Sequence, residues 1–126
     1  MTGRRRVVGI VGAVAVLAMA CTSLPPTKPI TDGKVLVGTW KGLLSTRGGS
    51  HDYTFTIRDD GTYVGVSPTL NPSTTDGTWR VVDGKAVWKS NTTGRMGTLI
   101  LHEGEGRQVL RLLSDDGITA ELTRAQ

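Results

Sequence analysis

A single cysteine, Cys21, occurs in 126 residues, so no disulfide can form within the chain and any fold must rest on its hydrophobic core. Histidine is nearly as scarce. His51 and His102 each adjoin an acid, Asp52 and Glu103, but neighbours on a strand point to opposite faces, so neither makes a natural catalytic pair. A metal site built from both histidines and one carboxylate would require their turns to meet, which their spacing does not demand. No Gly-x-Ser-x-Gly, Walker-type loop, Gly-x-Gly-x-x-Gly or cysteine pair follows residue 21. The expectation is a protein that is not an enzyme and holds no cofactor and no metal. The one continuous apolar run, residues 7–20, is fourteen residues long, whereas a durable membrane span needs about 20.

The positive net charge is also less than it first looks. Of fifteen Lys and Arg, three stand at Arg4, Arg5 and Arg6, while all eleven Asp and Glu lie after residue 21, so twelve bases face eleven acids in the remainder. Those bases, among them Lys41, Arg58, Arg80, Lys89, Arg95 and Arg111, are scattered singly among acids. With no basic stripe or block, nucleic acid is not an expected partner.

Arginines 4–6, the short apolar run and the tetrapeptide Ala18-Met19-Ala20-Cys21 form the three parts of an export signal: a cationic start, an apolar stretch and small residues at a cut. This arrangement resembles a bacterial lipoprotein signal, with Ala18 in place of the usual leucine. The resemblance implies cleavage after residue 20, a lipid on Cys21, and a membrane as partner in the bacterial cell envelope. Thr22 is not the retention-type Asp, which favours the periplasmic side of an outer membrane where one exists. Ala18-x-Ala20 also suits ordinary signal cleavage, and the arginines also resemble a minimal twin-arginine signal. A lone exposed thiol in an oxidising compartment is a liability, which favours lipidation.

Residues 21–32 read as the lipidated cysteine and a flexible tether. Pro25, Pro26 and Pro29 favour extended polyproline, and about 3 Å per residue would hold a domain roughly 30 Å from the lipid. Residues 33–126 read as one small domain.

In that domain no window sustains a helical period, whereas short apolar alternations are separated by Gly48-Gly49, Asp60-Gly61, Asp83-Gly84, Gly104-Glu105-Gly106 and Asp116-Gly117. Asp-Gly suits a tight hairpin, which predicts an all-β antiparallel meander. About eight short strands are expected, at 35–45, 51–58, 62–67, 77–82, 85–90, 95–102, 107–113 and 118–124, forming a small barrel or half-barrel. The longest connection is expected at 68–75. Alternation puts Tyr53, Phe55 and Ile57 on one face, Leu110 and Leu112 on another, and Ile118, Ala120 and Leu122 on a third. Trp88, flanked by Lys85 and Lys89, is expected nearest the surface.

Gly38-Thr39-Trp40 early in the first strand, echoed by Gly77-Thr78-Trp79, resembles the Gly-x-Trp signature of lipocalins and related calycin barrels. That resemblance implies a tryptophan packed near the closed end of a barrel whose open end takes a small apolar ligand. The chain is shorter than a typical lipocalin and shows no C-terminal helix. Trp40, Tyr53, Phe55, Tyr63 and Trp79 are the candidate ligand wall. The functional expectation is a lipid-anchored envelope protein binding a small apolar ligand. The alternative is a module that binds another envelope protein, such as a hydrolase inhibitor or assembly factor, through the 68–75 loop.

Overall fold

The structure is a computed structural model that describes residues 23–125. The expected signal at 1–20 and the lipidation site Cys21 lie outside the described residues.

Eight antiparallel strands follow one another as β1 (Gly38–Thr46), β2 (Gly49–Ile57), β3 (Thr62–Val66), β4 (Thr74–Val82), β5 (Lys85–Ser90), β6 (Met96–Gly104), β7 (Arg107–Ser114) and β8 (Thr119–Arg124). Each pairs with the next, and β8 pairs back onto β1 with Trp40 opposite Arg124 and Ser45 opposite Thr119. The sheet is therefore a closed barrel, and the half-barrel alternative falls away. Closure leaves the meander no open sheet edge between its first and last strands.

Turn chemistry sets the registers. Asp83 and Gly84 both have positive φ, as do Glu105 and Gly106, the backbone that a two-residue hairpin between right-twisted strands requires. Alternation then sorts the faces. Trp40 and Leu44, Phe55 and Ile57, Ala86 and Trp88, Leu99 and Leu101, Leu110 and Leu112, and Ala120 and Leu122 are all buried in one core. The expected inward faces of β2, β7 and β8 hold. Trp88 does not behave as expected: it is 7% exposed and inside the barrel. Its lysine neighbours occupy odd positions of β5, which point outward, while Ala86, Trp88 and Ser90 point inward.

One end of the barrel is plugged from the N-terminal side. Residues 35 and 36, expected in the first strand, instead belong to a single 3-10 turn, Gly33–Leu36, whose start is capped by the Asp32 carboxylate accepting from the Lys34 N–H at 3.0 Å. Leu36 and Ile30 are buried beneath it.

The segment expected to be a free tether is largely docked. Pairing between β5 and β6 ends at Leu99, so the lower edge of β6 lacks a strand partner on that side. The N-terminal segment fills it. The Glu103 N–H donates to the Pro26 carbonyl at 3.0 Å and the Lys28 N–H to the Leu101 carbonyl at 2.8 Å, with Thr27 bridging His102. Further along, the Ile30 N–H donates to the Gly84 carbonyl at 2.7 Å, and Lys28 pairs with Glu103 at 3.2 Å. The reach of about 30 Å expected from a free polyproline spacer is therefore not available, because residues 26–30 are held on the barrel.

Candidate functional site

The two ends of the barrel are built differently. At the plugged end Trp40 is fully buried, and its indole N–H donates to the Leu36 carbonyl at 2.9 Å. The Arg124 guanidinium lies 4.1 Å from the centre of the Trp40 ring. Arg124 also donates through Nη1 to the Val37 carbonyl at 2.8 Å, through Nη2 to the Val35 carbonyl, and through Nε to Gln108 at 3.2 Å. One cation thus ties the last strand to the 3-10 plug across a tryptophan face. Burial pulls the Arg124 pKa below its ordinary value. Trp79 is at this end too: its indole N–H is shared between the carbonyls of Arg58 and Thr62, at 3.0 and 3.1 Å, and its ring packs beside Gly33.

The opposite end is open and leads into a cavity of about 280 Å³. Its wall is a run of aromatic rings. Tyr53 stacks on Phe55 with centroids 5.8 Å apart, Phe55 meets Tyr63 at 5.0 Å, and Tyr63 meets Trp88 edge-on at 6.2 Å. Leu44, Leu70, Leu112 and Ile118 complete the apolar lining.

Two glycines make room for the rings. A Cβ on Gly65 would strike the Tyr53 ring, and one on Gly77 would lie 2.6 Å from the Tyr63 hydroxyl and collide with the Lys89 carbonyl of β5. The rings therefore lie against the bare backbone of the next strand, as glycine in a barrel strand permits.

Apart from Arg95, the polar groups at the mouth are hydroxyls and amides, several of them used within the protein. The Trp88 indole N–H donates to the Thr98 carbonyl at 3.2 Å, and the Ser67 hydroxyl donates to the Asp52 carbonyl at 2.7 Å. Burial raises the Tyr53 pKa above its ordinary value; nearby Tyr63 adds to the rise and a hydrogen bond with Thr75 opposes it. Burial likewise pushes the Tyr63 pKa up to about 12, against a hydrogen bond with Ser90 and with help from the Asp76 charge. A raised phenol pKa favours the neutral folded form, so this contribution to stability is complete below about pH 10 and is lost as pH rises through about 12. In an alkaline titration the phenolate absorbance of both tyrosines should rise in one step with the loss of near-ultraviolet circular dichroism. Ionisation near pH 10 with the fold intact would contradict the burial.

Of the five residues expected to form a ligand wall, Tyr53, Phe55 and Tyr63 are brought together in the cavity, while Trp40 and Trp79 belong to the plugged end. Trp88, Leu44 and Arg95 were not among those five. Strand parity points to Trp88 on β5 and, counted back from Leu99 through Gly97, to Arg95 just outside β6. His51 bonds Thr69 at 2.7 Å beside the mouth, while His102 is buried under the N-terminal segment with its Nδ1 2.8 Å from the Pro25 carbonyl. The two histidines lie at opposite ends of the barrel.

Fold and cavity together define a small antiparallel barrel with one plugged end and one aromatic-lined mouth. No family model, curated protein or solved structure matches this chain.

Proposed function

We propose that this protein is a lipid-anchored component of the bacterial envelope, lipocalin-like in design, whose barrel mouth binds a compact apolar ligand and performs no catalysis. The observation that carries the binding role is the cavity of about 280 Å³ walled by Tyr53, Phe55, Tyr63 and Trp88. That size is near the lower end of ligand pockets, roughly 300–1,000 Å³, and suits a ring system better than a long acyl chain. The anchoring role is supported by the signal-like residues 1–20 and by Cys21. The chain enters the barrel at its plugged end, where Arg107 donates to the Ser23 carbonyl at 3.2 Å, which supports an anchor on the side away from the mouth.

The protein-interaction alternative gains less support. The exposed large apolar residues among those described are Leu24, Val35, Leu43 and Met96, and none lies in the 68–75 loop.

One preparation tests both halves. The protein is produced from its full sequence in a bacterial host, extracted gently from the envelope and weighed by mass spectrometry in denaturing and native conditions. The expected denatured mass is that of residues 21–126 plus lipid, and Cys21→Ser should abolish the lipid increment. The expected native mass carries one further small molecule per chain. An unlipidated mature chain would overturn the anchor, and a native mass with no adduct after exposure to envelope extract would count against the binder.

A further inference from the structure

The cavity lining includes a single formally charged residue, Arg95, and it is held in a particular way. The alternation that puts Leu99 and Leu101 inside the barrel gives Arg95 the same inward parity one step beyond Gly97. The Arg95 carbonyl accepts from the N–H of Ser90, the inward-facing residue at the end of β5. Arg95 Nε donates to Asp116 Oδ2 at 2.5 Å, and Asp116 is steadied by the Ser114 hydroxyl, also at 2.5 Å. The hydrogen bonds from Ser114 and then Arg95 lower the Asp116 pKa, so this carboxylate stays ionised and fixes the guanidinium through its side. Arg95 Nη1 and Nη2 have no hydrogen-bond partner among the described residues. A guanidinium fixed by Nε and open at its two terminal nitrogens presents the fork that grips a carboxylate.

We propose that the ligand is an amphiphile of one defined kind: a compact ring body carrying a single carboxylate, with the ring against Tyr53, Phe55, Tyr63 and Trp88 and the carboxylate on Arg95. This rests on the mouth being a ligand site. A single guanidinium with one open pair of terminal N–H donors fits one carboxylate and not a phosphate-rich group, which would call for several cations. The Arg95 side chain is 46% exposed, so an arriving ligand can reach it and solvent weakens its contribution.

The probes are naphthoate and its uncharged counterpart naphthamide, titrated calorimetrically into the folded barrel. Naphthoate should bind about five- to tenfold more tightly than naphthamide at low salt, and this margin should shrink as salt is added. In Arg95→Gln, whose fold is checked by circular dichroism, the preference for naphthoate over naphthamide should disappear, so that the two probes bind equally. Equal binding of both probes by the parent protein would overturn the carboxylate assignment while leaving the cavity as a binding site. A naphthoate preference that survives Arg95→Gln would overturn the role of Arg95. Binding of neither probe would remove the ligand site itself, and this inference with it.

Discussion

Trp40→Ala should lower the stability of the barrel by about 3–5 kcal/mol, the range for removing a fully buried large aromatic. The ring is fully buried, the Leu36 carbonyl would lose its donor, and Arg124 would lose the face it lies on. A domain of this size has a total stability of about 5–15 kcal/mol. At roughly 4–8 °C per kcal/mol, the melting temperature should fall by about 12 °C or more. Arg124→Met keeps most of the volume but drops the donors and the charge, and should cost less, about 1–3 kcal/mol. Thermal melts of the two variants separate the ring from the cation. A Trp40→Ala melt within about 5 °C of the parent would mean that the plugged end does not hold the barrel together.

Gly77→Ala should be nearly as damaging despite adding one methyl group. The new Cβ would collide with the Lys89 backbone carbonyl, which the β4–β5 ladder holds in place, and with the Tyr63 ring at 2.6–2.7 Å. The carbonyl is backbone, and the Tyr63 side chain, 2% exposed, is held in the core. Overpacking of this kind costs about 1–3 kcal/mol, and more where backbone must move. Gly48→Ala is the matched control, since its Cβ would have only the Thr46 hydroxyl within 4 Å, at 3.7 Å. Denaturant midpoints should drop sharply for Gly77→Ala and hardly at all for Gly48→Ala. Equal midpoints for both would show that the Lys89 backbone and the Tyr63 ring do not close tightly on Gly77.

The features legible in the sequence are the local ones. Asp-Gly pairs mark Gly61, Gly84 and Gly117, all with positive φ, and simple alternation places Tyr53, Phe55 and Ile57 inside. Strand β5 falls at Lys85–Ser90, directly after the Asp83-Gly84 turn signal. The features missed depend on partners remote in the chain. Residues 25–30 read as a spacer because proline favours extension, but an extended segment is also what the lower edge of β6 can pair with, some 75 residues later. The ring of Trp40 and the guanidinium of Arg124 meet only because β1 and β8 close the barrel. Trp88 shows a different failing: its charged neighbours suggested exposure, whereas parity within the strand already placed it with Ala86 and Ser90.

The cavity wall was therefore half legible. Tyr53, Phe55 and Tyr63 come from two adjacent strands whose alternation is plain, and they face one another because Gly65 and Gly77 leave the next backbone bare. Trp40 and Trp79 share a Gly-Thr-Trp motif, and both support the plugged end instead of the mouth.

The most direct test of the mouth as a binding site is a calorimetric titration of naphthamide into the parent barrel and into Leu44→Trp. Leu44 lines the cavity, so the larger indole would occupy the space a ligand needs. The parent should show saturable one-to-one binding and Leu44→Trp, still folded by circular dichroism, should show none. No saturable binding to the parent, or equal binding to the plugged variant, would contradict a ligand site at the open end of this barrel.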